Sequence, residues 1–201
     1  MSKAVMLSIR PKWCEKIASG EKTIEVRKTR PKLETPFKCY IYCASVKSMN
    51  LQDYVDAISS AAAVDDWSGK VIGEFMCCAT IPISVEYSGP SHRIAGMTDK
   101  QIIDYLGNGK MGYGWLILDL KIYDNPQELS KFRVEDKPAI KACKHRFRAG
   151  QPEYVARHGG WLQGGWGCMK NGEPEWCENC LTKPLTRPPQ SWCYVEAMQD
   201  G

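Results

Sequence analysis

Two kinds of apolar spacing alternate along the first 132 residues. Ala4 to Ile9 is an almost unbroken apolar run and reads as a strand, whereas Pro11 to Ser19 places Trp13, Cys14, Ile17 and Ala18 on one helical face. Pro11 suits a first helical position, and Gly20 can close the end. From Thr23 to Arg27 the period drops to two: Ile24 and Val26 point one way, while Thr23, Glu25 and Arg27 point the other. Phe37 to Ala44 predicts a further strand with Cys39, Ile41 and Cys43 on one side and Tyr40 and Tyr42 on the other. Leu51, Tyr54, Val55 and Ile58 predict a helix over 51–64. A long strand is expected between Gly69 and Val85, with Val71, Phe75, Ile81 and Val85 inward and Cys77 and Cys78 on opposite faces. Met97 to Leu106 reads as a second short helix capped by Thr98, and Trp115 to Tyr123 as a strand.

Between that helix and strand lie glycines 107, 109, 112 and 114, which predict turns because their spacing matches no phosphate-binding motif. After Phe132 the periodicity stops. Residues 133–183 carry seven glycines and read as an irregular insert, and pattern returns with the turn Arg187-Pro188-Pro189 and a closing strand from Ser191 to Glu196. An α+β domain of residues 1–132 plus 184–201, interrupted by an insert of residues 133–183, is therefore expected.

Chemistry concentrates between Gly20 and Lys28. Glu25 and Arg27 lie about 7 Å apart on one strand face, close enough to fix each other's rotamers. Lys22 falls on the opposite side by strict alternation, and joins them only if the turn after Gly20 twists it there. Gly20, Lys22, Glu25 and Arg27 resemble the Gly-x-Lys-x-x-Glu-x-Arg signature of the ASCH domain family, relatives of the PUA domain. The resemblance extends to Met6-Leu7-Ser8-Ile9-Arg10-Pro11, Gly112-Tyr113-Gly114-Trp115 and Pro189 to Glu196, which look like ASCH proteins of bacteria and their phages. It implies a PUA-like mixed β-barrel with flanking short helices, and a cleft near the signature strand that takes nucleic acid or a nucleotide-like ligand.

Composition agrees with a globular domain: 201 residues, 43% hydrophobic and 25% charged. No run of eighteen apolar residues and no signal-peptide layout appear, so no membrane span and a cytoplasmic location are expected. The net charge of +4 is unevenly distributed. Residues 1–38 hold ten Lys/Arg against four Glu, and residues 139–170 hold six against one, whereas the remaining stretches are net acidic. Two basic stretches suit phosphates, or are solvated surface.

Ten cysteines are many for a chain of this length, and in an intracellular protein they serve as core residues or metal ligands. Cys143, Cys168, Cys177 and Cys180 follow the pattern C-x24-C-x8-C-x2-C. Such a set suits tetrahedral zinc, which would supply folding free energy to a segment with little core of its own. His145 and His158 are alternative ligands and Cys193 is a poorer one inside a strand; the competing reading is reduced, non-ligating thiols, or a redox pair at Cys177 and Cys180.

These residues lead first to a nucleic-acid-binding protein, RNA before DNA, with a structural zinc appendage. Arg10, Lys12, Lys22 and Arg27 would contact phosphates beside Glu25, and Trp13, Tyr113 or Trp192 would stack on a base unless they belong to the core. Lys144, Arg146 and Arg148 would extend that surface. A hydrolase of modified nucleosides or RNA, with Lys22 and Glu25 as acid and base, is the alternative. Some small ASCH proteins resemble amidohydrolases using a lysine, a threonine and a glutamate. Here Lys22 matches the lysine, but Glu25 stands in place of the threonine, and Ala95 and Gly96 stand where the glutamate would be. A small-ligand or protein interaction module is the third class.

Overall fold

The computed structural model describes residues 3–45, 66–84, 95–136, 146–148, 166–170, 173–175 and 182–198. In chain order these form β1 (Lys3–Ile9), α1 (Pro11–Ala18), β2 (Ile24–Arg27), β3 (Phe37–Cys43), β4 (Val71–Ile83), α2 (Asp99–Leu106), β5 (Gly112–Gln127) and a 3-10 turn (Leu129–Lys131). There follow β6 (Arg133–Glu135), β7 (Arg146–Arg148), β8 (Trp166–Lys170), β9 (Glu173–Glu175), β10 (Thr182–Pro184) and β11 (Trp192–Glu196). The chain divides into two units, 1–132 with 186–201, and 133–185. The helix expected over 51–64 lies outside the described residues, and no described helix is long and apolar enough to cross a membrane.

The first unit is built on a six-stranded mixed sheet in the order β11-β1-β3-β4-β5-β2. Among the described strands only β1 and β3 run parallel, and α1 lies in the connection between them, as a parallel pair requires a crossover. Strand β3 is buried on both faces. Cys39, Ile41 and Cys43 pack with Val5, Leu7, Ile9, Phe75 and Trp115 and with Cys14 and Ile17 of α1. Tyr40 on the other face meets Phe132 with ring centroids 4.8 Å apart. Burial pushes the Cys14 and Cys39 thiols well above their ordinary values, as expected of inert core cysteines.

Helix α2 begins with a reciprocal capping box between Thr98 and Gln101. Ile102 and Leu106 on its inner face cover Ile24, Val26 and Ile83, so the apolar side of β2 packs against α2. Glycines 112 and 114 are not turn residues. They lie in β5, where a Cβ on Gly112 would meet the Arg27 carbonyl at 2.8 Å, and one on Gly114 would meet Ile24 at 2.8 Å. They are there so that β5 and β2 can approach closely, whereas Gly107 and Gly109, at positive φ, make the turn itself.

The described strands do not close into a barrel: β2 and β11 remain the two edges of the sheet. Strand β2 is only four residues long, and side chains span the gap that backbone pairing leaves open. Arg27 of β2 donates to the carbonyls of Ser8 (2.8 Å) and Ser191 (3.1 Å), and the Trp192 indole donates to Thr29 Oγ1 at 3.0 Å. The Lys32 N–H donates to the Tyr194 hydroxyl at 2.7 Å.

The second unit is less irregular than its sequence indicates. β6 pairs with β10, and β7, β8 and β9 form a three-stranded antiparallel sheet. Strands of three to five residues are too short for an alternation to stand out among glycines. Arg133 secures the β6–β10 pair by donating to the Thr182 hydroxyl and carbonyl, both at 2.8 Å.

Candidate functional site

The site starts at the end of α1. Gly20 takes φ +79°, its N–H donates to the Ile17 carbonyl, and the Lys22 N–H folds back to the Lys16 carbonyl at 2.8 Å. This turn carries Lys22 around to the charged face of β2, against the side that strand alternation assigns it. Pairing of β2 with β5 sets Glu25 opposite Trp115 and Arg27 opposite Tyr113.

Three charged residues are thereby buried together: Lys22 is 2% exposed, Glu25 6% and Arg27 5%. The Glu25 carboxylate lies 3.0 Å from the Arg27 guanidinium and 3.5 Å from the Lys22 ammonium. Lys22 also donates to the Ala95 carbonyl at 2.7 Å, and its Nζ lies 5.1 Å from the Trp13 ring centroid. Arg27 is occupied on both terminal nitrogens by Glu25, Ser8 and Ser191, leaving only Nε without a partner. Burial pushes the Lys22 ammonium below its ordinary value, Glu25 pulls it back up, and Arg27 and Lys16 add to the downward push. Burial also raises the Tyr105 hydroxyl, with the nearby Arg27 charge opposing.

The cluster forms the floor of a cleft of about 680 Å³. Its walls come from β1 and the start of α1 (Ser8, Arg10, Lys12, Trp13), from α2 (Gln101, Asp104, Tyr105) and from Gln190 and Ser191 ahead of β11. Arg10 is exposed and Lys12 half-buried, with the Lys12 ammonium 5.4 Å from the Trp13 ring centroid. The arrangement offers an ammonium of weakened basicity beside a carboxylate, an aromatic wall and two further cations. It can hold a planar polar ligand with an anionic group, and it has a donor–acceptor pair for proton transfer.

Arg10, Lys12, Trp13, Lys22, Glu25 and Arg27 thus converge. Tyr113 does not join them. It is half-buried in β5 rather than displayed on a loop, it does not line the cleft, and Arg30 stacks on its ring at 5.4 Å. Trp192, also half-buried, packs 6.1 Å from Trp115 and binds Thr29, so it belongs to the seam between β2 and β11. Lys144, Cys143, Cys177 and Cys180 lie outside the described residues. Arg146 and Arg148 lie on β7, and Cys168 lies on the central strand β8. Among the described residues no three His, Cys, Asp or Glu side chains group as metal ligands. Cys193 is half-buried, its thiol pushed up to about 11 by burial.

Sequence reasoning missed the α2 wall and the carbonyls of Ser8, Ala95 and Ser191. Gln101, Asp104 and Tyr105 recur at helical spacing, a signal that marks one face of α2. Carbonyl groups carry no sequence signal. The main-chain oxygen of Ala95 accepts from Lys22 although its side chain carries no polar group.

No family model and no curated protein matches the chain. Among solved structures it is similar to an ASCH protein from Zymomonas mobilis, at 21% identity and TM-score 0.46, over 63% of this chain and 73% of that one. Two point mutants of the same protein match at 21% and 20% identity, both with TM-score 0.47. They cover 64% and 72% of this chain and 77% and 82% of theirs.

Proposed function

We propose that the cleft receives a nucleotide unit of a single-stranded nucleic acid, RNA before DNA. The observation that carries this reading is the buried Lys22–Glu25–Arg27 cluster at the base of a cleft walled by Trp13 and lined by Arg10 and Lys12. Trp13 provides a stacking face, and the polar side chains of α2 and Gln190 provide hydrogen-bonding partners for base edges. Arg10 and Lys12 line the cleft and supply cationic groups for phosphate, while the terminal nitrogens of Arg27 hold two carbonyls and a carboxylate. The cleft volume lies in the range of small-molecule sites, roughly 300–1,000 Å³, so a nucleotide-sized ligand fits.

A second reading, hydrolysis of a modified nucleoside or of RNA, is favoured by the lowered Lys22 basicity 3.5 Å from Glu25. One experiment addresses both: titration of labelled single-stranded RNA with the protein, followed by analysis of the RNA for products. Trp13→Ala is expected to weaken binding by about 1–3 kcal/mol, the usual worth of a base–aromatic stack. Unchanged affinity sinks the stacking role. Products that form with the wild type and vanish in Lys22→Met make hydrolysis the better reading.

In the second unit, a structural zinc held by Cys143, Cys168, Cys177 and Cys180 is supported by ligand type and spacing, and Lys144, Arg146 and Arg148 beside it suit backbone contacts. Metal analysis after purification without chelator is expected to find stoichiometric zinc, lost in the Cys177→Ser/Cys180→Ser double variant. Metal-free protein overturns this.

A further inference from the structure

The segment from Lys28 to Lys32 follows β2 directly and is built as an alternation. Thr29 is held by the Trp192 indole at 3.0 Å, Pro31 is buried, and the Lys32 N–H is held by the Tyr194 hydroxyl at 2.7 Å. Between and beside these anchors, Lys28, Arg30 and Lys32 are exposed. The Lys28 ammonium lies 5.3 Å from the ring centroid of Tyr105, a wall of the cleft, and the Arg30 guanidinium lies 5.4 Å from that of Tyr113. Among the described residues none of the three cations has a carboxylate partner.

A solvated surface run needs neither anchors nor aromatic seats. Here rings seat the Lys28 and Arg30 cations, one of them beside the cleft, and the Tyr194 hydroxyl fixes the main chain at Lys32, so less ordering entropy is lost when a polyanion binds. Seating Lys28 and Arg30 on aromatic faces keeps their charge while restricting their rotamers. Among the described residues no carboxylate neutralises these three cations, which leaves them suited to an external polyanion.

We propose that Lys28, Arg30 and Lys32 form a phosphate-backbone track that carries a single-stranded polynucleotide away from the cleft, past Tyr105 and along the β2–β11 seam. This rests on the reading of the cleft as a nucleotide site, and assigns to the track length-dependent affinity that the cleft does not supply. Base identity is left to the cleft, because backbone contacts carry no sequence information.

The test compares wild type with the Lys28→Ala/Arg30→Ala/Lys32→Ala triple variant. The anchors Thr29 and Pro31 stay in place, and the altered side chains are exposed. Anisotropy titrations use a labelled mixed-sequence RNA of about 12 nucleotides, within the usual span of a single-strand site, across a salt series. Calorimetry with the four nucleoside 5′-monophosphates reports on the cleft alone. Loss of three single-strand phosphate contacts lowers the slope of log K against log salt by about 2 and weakens oligonucleotide binding roughly tenfold or more at moderate salt. Mononucleotide binding is expected to match wild type. A variant lacking the exposed Lys121 and Lys131, cations of β5 and of the turn after it, is expected to keep the wild-type slope. If the wild type binds RNA and the triple variant binds with the same affinity and slope, or if the Lys121/Lys131 variant loses as much, the track is refuted. If the wild type binds neither RNA nor mononucleotide, the nucleotide reading fails and the track fails with it.

Discussion

Arg27→Ala is expected to destabilise the protein by about 3–5 kcal/mol, the cost of removing one partner of a buried ion pair. The loss has two parts. Glu25 keeps only Lys22, 3.5 Å away, as its counter-charge, and the carbonyls of Ser8 and Ser191 lose the donors that tie the β2 edge to β1 and to the chain entering β11. A buried carboxylate and part-buried carbonyls that lose a donor each carry a desolvation penalty, smaller at Ser191, whose carbonyl still accepts from the Ser8 N–H. Arg27→Lys separates the parts. An ammonium can still face Glu25 but cannot fork to two carbonyls, so an intermediate loss of about 1–3 kcal/mol is expected. Urea denaturation of the three proteins measures this directly. A loss below about 1 kcal/mol in Arg27→Ala would show that the seam is held by backbone and aromatic packing instead.

Glu25→Gln should cost a similar amount, about 3–5 kcal/mol, because it leaves Lys22 and Arg27 as two buried cations without a carboxylate. Its pH dependence identifies the cause. Lys22 has a lowered pKa in the folded state, so in the window between that value and the unfolded value of about 10.4 the unfolded chain binds more protons. Stability contributed by this group therefore rises with pH across the window. The burden of the buried charge is fully present below the folded pKa and is relieved as the ammonium deprotonates. Measured against Lys22→Met, which cancels the other alkaline titrations, the wild type should gain stability from neutral pH towards the unfolded lysine value. The gain should be larger in the Glu25→Gln background, where the upward pull of Glu25 is gone. Lys22→Met should also restore part of the stability lost in Glu25→Gln, a coupling that double-mutant analysis reads out. A pH profile that is flat or falls with pH would show that Lys22 is not penalised by its burial.

Both predictions concern residues that stand within six positions of one another in the chain, yet their roles came to light unequally. The strand period placed Glu25 and Arg27 on one face, and the 3.0 Å pair between them is what that spacing implies. Lys22 could not be assigned by periodicity, because its position depends on the left-handed turn at Gly20 and the bond back to Lys16. Tyr113 illustrates the opposite error. Four nearby glycines suggested a loop, but Gly112 and Gly114 are small because β2 and its neighbours press against β5, a demand set by partners distant in sequence.

Local pattern alone determined the elements and their faces: α1 with Cys14 and Ile17 inward, the capped α2, the strands β1, β3 and β11, and a charged face on β2. These depend on neighbours within a few residues, where side-chain period and capping chemistry act directly. Only the tertiary structure decided that the sheet ends in two strand edges, that Arg27 ties them through main-chain carbonyls, and that Ala95 and the α2 wall complete the cleft. Those contacts join residues up to 164 positions apart. Several of them use backbone oxygens, which every residue has and no residue type announces.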